Sequence, residues 1–148
     1  QTGVGVDISQ AALTVARTNA EALSVADRAE FRRASWFDGV EGSFDLILSN
    51  PPYVTRDEYE TLEPGVRNWE PRSALTDDGD GLAAYRVIAE HLQAYLAPGG
   101  VALLEHGWQQ AARVAGLFRE KGFHDVRSYG DLSGKDRVVG VAAKTPST

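Results

Sequence analysis

At 148 residues, with 43% apolar and 24% charged side chains, the chain suits one globular domain and is too ordinary in composition for a disordered or fibrous protein. No apolar stretch approaches the roughly 20 residues of a membrane span, no signal-peptide pattern is present, and the complete lack of cysteine removes disulfides, thiolate metal sites and a cysteine nucleophile, which fits a cytoplasmic location. A formal charge of −6, from 15 basic and 21 acidic residues with no basic run longer than Arg32-Arg33, argues against affinity for a nucleic-acid backbone and suits a cationic cofactor and a protein substrate better.

Methionine is absent even at position 1, and Gln1-Thr2-Gly3 opens in what reads as mid-strand, so a fragment of a longer protein is expected. Val4 to Asp7 predicts a buried strand ending in an acid, and Ser9 is a good N-cap for a helix through about Ala22. On that helix Ala11, Ala12, Val15, Ala16, Ala20 and Leu23 recur at helical spacing and are expected to pack on a sheet. Asp7, an acid at a strand's C-terminal end, either caps the helix or accepts both ribose hydroxyls of a nucleoside cofactor. Thr2-Gly3-Val4-Gly5 is no phosphate-binding loop, because a strand pattern rather than a helix start follows it. Ala29 to Arg33 predicts a second strand. Just past it, Trp36 either belongs to the core or covers one face of an adenine ring, with Ser35 able to hydrogen-bond nearby.

Phe44 to Ser49 is a short apolar run that predicts a buried strand, and Asn50-Pro51-Pro52-Tyr53 follows at its C-terminal end. In open α/β sheets that end is the ligand edge. The two prolines fix their own φ near −65°, remove two backbone donors and push Asn50 toward an extended conformation. The result is a stiff loop rich in acceptors. A planar –NH2 of an amide or nucleobase is a poor nucleophile, because its lone pair is delocalised. If the Asn50 side-chain oxygen and the Pro51 carbonyl each accept one N–H, the nitrogen is held with its lone pair aimed at an electrophile. Tyr53 can then stack on the planar group and exclude water. The plain alternative, a strand-ending turn, would suit a bare Asn-Pro better than this longer run.

Val54 to Asp80 shows no clean periodicity and is expected to form a lid or substrate-facing wall, with a short helix near Asp57 to Leu62. Asp77, Asp78 and Asp80 lack the closing Glu of a calcium loop, so turn and cap chemistry is expected there, and no metal site. Gly81 to Leu96 predicts an amphipathic helix ended by Pro98-Gly99-Gly100, with Leu82, Tyr85, Val87, Ile88, Leu92, Tyr95 and Leu96 apolar. Val101 to His106 predicts a strand whose last residues, Glu105 and His106, point to opposite faces, and one of them is expected to support the site. Gln109 to Lys121 predicts a helix with Val114, Leu117 and Phe118 inward and Gly122 at its end. The runs 124–129 and 136–143 predict a closing antiparallel hairpin, and Lys144 to Thr148 is expected to fray. There is no internal repeat.

The strand and loop around Asn50 resemble motif IV of the amino-methylating, S-adenosylmethionine-dependent methyltransferases. Further matches are Val66 to Leu75 with its Glu70-Pro71 and Ala74-Leu75, then Asp80-Gly81-Leu82, Glu105-His106-Gly107 with Gln109, and Asp131-Leu132 through Asp136-Arg137-Val138. In this order and spacing the chain resembles the peptide chain release factor N5-glutamine methyltransferases, the HemK-like family. The resemblance implies a Rossmann-like class I S-adenosylmethionine-dependent methyltransferase fold, α/β, with a mostly parallel sheet and a C-terminal antiparallel hairpin. It also implies methylation of the glutamine amide in the Gly-Gly-Gln motif of class I release factors, with S-adenosyl-L-homocysteine as product. Carried over by position, Asp7 holds the cofactor ribose, Trp36 lies by the adenine and Asn50 touches both cofactor and substrate. Asn50, Pro51, Pro52 and Tyr53 hold the glutamine amide, with Asn50, Pro51 and Tyr53 as the catalytic set. Ser35 stands where members often carry an acid.

The family's glycine-rich cofactor loop, first βα unit and helical N-terminal recognition domain are expected to precede Gln1, so residues 1–148 form a partial catalytic domain. The implied strand order is 3-2-1-4-5-7-6 with strand 1 missing, leaving a gap of about 9.6 Å between its neighbours. The chain alone is therefore expected neither to bind cofactor tightly nor to fold stably, and the parent protein is expected to be a monomer without membrane or nucleic-acid partners. Two rival readings are methylation of an exocyclic amine of adenine or guanine in nucleic acid, which calls for a basic stripe near Tyr53, and an inactive α/β binding module.

Overall fold

In the computed structural model, which describes residues 1–144, the chain divides into two units, Gln1–Glu41 and Gly42–Thr148. Of the segment expected to fray, Lys144 is tied down, its N–H donating to Gln93 Oε1 at 3.0 Å, and residues 145–148 lie outside the described residues.

In the first unit, β1 (Gly3–Asp7) pairs in parallel with β2 (Ala29–Arg33), in register from Gly3 opposite Ala29 to Asp7 opposite Arg33. The strand assignment at Gly3 and Gly5 therefore holds. A Cβ on Gly5 would lie 2.8 Å from Cδ1 of Phe31, so the missing side chain lets that ring lie across β1. Between the strands runs α1 (Gln10–Ala22), whose N-cap Ser9 accepts the Ala12 N–H at 3.2 Å, as its sequence position requires. The buried face of α1 matches the expected one at Ala20, with Ala16 half-buried, and differs elsewhere. Leu13 and Ala20 are buried, whereas Ala11 and Ala12 are exposed, Val15 is 59% exposed and Leu23 is exposed too. A helix lying on two strands can cover one stripe, and the stripe through Leu13 and Ala20 takes it; the parallel row of Ala12, Val15 and Leu23 has no strand beneath it.

The second unit holds a four-stranded sheet in the order β3–β4–β6–β5, formed by β3 (Phe44–Ser49), β4 (Leu96–Glu105), β5 (Val126–Gly130) and β6 (Asp136–Ala142). β3 and β4 are parallel, and β6 is antiparallel to both β4 and β5, so the predicted C-terminal hairpin is present. The core comes from α5 (Ala83–Tyr95) through Tyr85, Ile88 and Leu92, from α6 (Ala111–Glu120) through Val114 and Phe118, and from Leu104, Val139 and Val141 of the sheet. Gly122 closes α6 at φ +82°, the left-handed value a terminal glycine permits.

Three expectations need correction here. β3 is not buried throughout: Leu48 is 67% exposed and Leu46 is exposed as well, because β3 is an edge strand with β4 as its ladder partner on one side. β4 begins at Leu96, directly after α5, and runs through Pro98-Gly99-Gly100 rather than after it. The register slips there, Phe44 pairing with Leu96 and Leu46 with Val101; Gly99 takes φ +79°, and a Cβ on Gly100 would meet the Phe44 carbonyl at 2.7 Å. Proline and glycine thus form a bulge inside the strand. Third, Val54 to Asp80 carries more structure than its pattern suggested. It contains α2 (Arg56–Thr61), predicted as a short helix, and two single-turn helices, α3 (Pro64–Arg67) and α4 (Arg72–Leu75). A bridge joins Val54 to Thr76, and the Arg72 guanidinium lies 4.2 Å from the Tyr59 ring centroid while pairing with Asp78. Turns this short give no period to read.

Candidate active site

The second unit presents Asn50-Pro51-Pro52-Tyr53 at the C-terminal end of β3, beside the C-terminal end of its parallel neighbour β4. Asn50 is exposed, Pro51 is buried, and Pro52 and Tyr53 are half-buried. Downstream the chain is tied down at once. Val54 N–H donates to the Leu75 carbonyl at 2.9 Å, and Thr55 caps α2 in a reciprocal capping box with Glu58.

Tyr53 is held at both ends. Its hydroxyl donates to Glu105 Oε1 at 3.3 Å, and its carbonyl accepts from Gln110 Nε2 at 2.9 Å. Burial, and then the neighbouring Glu105 charge, push the Tyr53 hydroxyl above its ordinary pKa. Tyr85, raised mainly by burial, donates its hydroxyl to the Glu105 carbonyl at 2.6 Å. Both phenols therefore stay neutral donors well past neutral pH. Glu105 is the member of the Glu105–His106 pair that touches the site. His106, on the opposite face, is fully buried; its Nδ1–H donates to the Gly107 carbonyl at 2.8 Å, and Nε2 has no partner among the described residues. The signal for Glu105 was its place at the end of a central strand. Nothing in the sequence singled out Gln110 or the Tyr85 hydroxyl, since their roles need segments far apart in the chain to meet.

The aspartates of the following segment serve turns and ion pairs. Asp77 Oδ1 accepts from the N–H groups of Gly79 and Gly81 and Oδ2 from that of Ala83. Asp78 pairs with Arg72 and Asp80 with Arg86, and each arginine holds its partner's carboxyl below the usual range. Among the described residues no group of three or more His, Asp or Glu is arranged to hold a metal ion.

In the first unit, Asp7 ends β1 and Ser35-Trp36 follows β2. The two strands are parallel, so both positions lie at the same end of the pair. The exposed Asp7 carboxylate accepts the Ser9 N–H through Oδ1 at 2.7 Å, a local turn ahead of α1, whose N-cap is Ser9 and not Asp7. Trp36 is 37% exposed and therefore not core. It adopts φ +51°, a left-handed conformation that is uncommon for a bulky residue.

Residues 2–95 match the methyltransferase small domain family. The chain belongs to that family. Among characterised relatives, the release factor glutamine methyltransferase of Cereibacter sphaeroides is 50% identical over 145 residues, covering 98% of this chain and 51% of the relative. That of Caulobacter vibrioides is 46% identical, covering 97% and 50%. The chain thus spans about half the length of the curated relatives it matches. Among solved structures, a methyltransferase from Pyrococcus furiosus superposes with a TM-score of 0.67 at 18% identity, over 95% of this chain and 61% of the other, which shows the shared α/β methyltransferase fold. The release-factor-specific protein-(glutamine-N5) methyltransferase from Alicyclobacillus acidocaldarius superposes with a TM-score of 0.52 at 27% identity, over 98% and 81%.

Proposed function

We propose that the full-length protein carrying this sequence methylates the side-chain amide nitrogen of the glutamine in the Gly-Gly-Gln motif of class I release factors, using S-adenosyl-L-methionine. The observation that carries the reading is Asn50-Pro51-Pro52-Tyr53 at the sheet edge, with Asn50 facing solvent and Tyr53 fixed at both ends. The names of the relatives from Cereibacter and Caulobacter support the same substrate. The residues present suit part of the cofactor: Asp7 offers one carboxylate oxygen toward a ribose diol, and the half-exposed Trp36 ring offers an apolar face to an adenine. When bound, S-adenosyl-L-methionine supplies a sulfonium-activated methyl group.

The chain's own contribution is orientation. Asn50 Oδ1 and the Pro51 carbonyl accept the two N–H groups of the glutamine amide, which turns the nitrogen lone pair out of the loop. The two acceptor oxygens push density toward the nitrogen through its N–H bonds and so stabilise the positive charge that develops as it becomes tetrahedral. Tyr53, neutral and anchored on Glu105, covers the amide plane and keeps water from it. No protein base of perturbed acidity is called on: methylation makes the nitrogen cationic and strongly acidic, and its proton passes to bulk water as the product leaves.

Incubating the full-length protein with S-adenosyl-L-methionine and a class I release factor, then mapping the digested factor by tandem mass spectrometry, tests the reading. The expected product carries one added methyl group on the glutamine side chain of Gly-Gly-Gln. An unmodified glutamine, or methyl appearing instead on an adenine or guanine amine of added nucleic acid, overturns it.

A further inference from the structure

The loop that grips the amide has an anchoring problem. Pro51 and Pro52 have no N–H, so neither can be tied to the protein by a backbone donor. Tyr53 is hydrogen-bonded at both ends, and Gln110 takes one of those bonds. Gln110 is 8% exposed and stands at the N-cap of α6, yet its side chain makes no capping bond to its own helix. Instead its amide spans two loops: Oε1 accepts the Gly107 N–H at 3.0 Å, and Nε2 donates to the Tyr53 carbonyl at 2.9 Å. These partners fix the orientation of the amide, since an N–H can only donate and a carbonyl can only accept. Two glycines clear the space. A Cβ on Gly81, which sits at φ +74°, would lie 2.3 Å from the Tyr53 carbonyl oxygen and 2.7 Å from Gln110 Nε2; one on Gly107 would lie 2.9 Å from Gln110 Oε1.

We propose that Gln110 is the positioning residue of the amide-gripping loop, setting the placement of Asn50 and Pro51 through its hydrogen bond to the Tyr53 carbonyl. The inference rests on the function proposed above. With both proline φ angles fixed, fewer backbone angles separate the Tyr53 carbonyl from Asn50 than in an ordinary loop, so a shift at Gln110 is passed upstream through the ψ angles of the two prolines. Gln110 touches neither substrate nor cofactor in this scheme. It acts through Tyr53 alone.

The test uses Gln110→Glu and Gln110→Met in the full-length protein, with wild type as control and a release factor as substrate. Glutamate keeps an oxygen for the Gly107 N–H but sets a second one against the Tyr53 carbonyl; once protonated, it donates as glutamine does. Methionine can do neither. At neutral and alkaline pH, kcat is expected to fall roughly 10- to 100-fold in both variants, the scale of a displaced reacting group. As pH falls, Gln110→Glu should regain turnover relative to wild type while Gln110→Met does not. In isotope-labelled Gln110→Glu, the Tyr53 carbonyl and Gly107 amide resonances should shift with the same midpoint as the activity. Wild-type turnover in both variants, a loss in Gln110→Glu without recovery on acidification, or resonances that titrate apart from activity overturns the inference. A wild type that leaves the glutamine unmodified overturns the proposed reaction and this inference with it, whereas an active wild type with unaffected variants overturns this inference alone.

Discussion

The two units differ in how they hold their structure. Gly42–Thr148 has a four-stranded sheet, two long helices and a contiguous core around Tyr85, Phe118, Leu92 and Leu104, all fully buried. Gln1–Glu41 has two strands and one helix, and among the described residues its buried apolar side chains are Leu13 and Ala20. Two strands are marginal on their own, and three or more, or a well-packed helix, are needed for independent stability. Asn50 and Tyr53, proposed to grip the amide, therefore sit on the unit with the larger core, and Asp7 and Trp36, proposed to hold the nucleoside, on the one with the smaller.

The comparison can be broken or sharpened in four ways. The largest effect is expected from Phe118→Ala in the full-length protein, which should cost about 3–5 kcal/mol in denaturant unfolding, as for a fully buried aromatic. A loss near 1 kcal/mol, the ordinary value for an arbitrary substitution, would show that the second unit lacks the core described. Next is Asn50→Ala, for which turnover on a release factor should drop by roughly 10² or more, with the melting temperature unchanged because Asn50 is exposed. Near-normal turnover removes Asn50 from the mechanism. Third, calorimetry on the 148-residue chain alone should give cofactor binding weaker than micromolar; micromolar binding would mean the first unit supports a nucleoside site unaided. The smallest effect belongs to Val15→Ser on the exposed stripe of α1, expected within about 0.5 kcal/mol in the full-length protein. A larger loss would indicate that residues outside these 148 cover that face.

Much of the fold was legible because its signals are local. Ser9 before α1, Gly122 after α6 and the bounds of β3 each read correctly from a few adjacent residues. The failures are informative in the same terms. Val15 and Leu23 have the right period for a buried stripe, but the period does not say which of two stripes finds a sheet beneath it. Pro98-Gly99-Gly100 has the composition of a helix stop and is one, yet the same residues let β4 start early as a bulge, because strand pairing with Phe44 overrides turn propensity. α3 and α4 are single turns, too short to leave a periodic trace.

By itself the sequence determined the α/β class, the position of Asn50-Pro51-Pro52-Tyr53 at a strand's C-terminal end, and the stiffness of that loop, because proline dihedrals and apolar periodicity are properties of neighbours along the chain. Only the tertiary structure decided what holds the loop in place. The grip of Gln110 on the Tyr53 carbonyl joins residues 57 apart, and that of Glu105 on the Tyr53 hydroxyl joins residues 52 apart. A hydrogen bond between distant segments depends on strand register and on the space two glycines leave, and neither is encoded at the positions that make the bond.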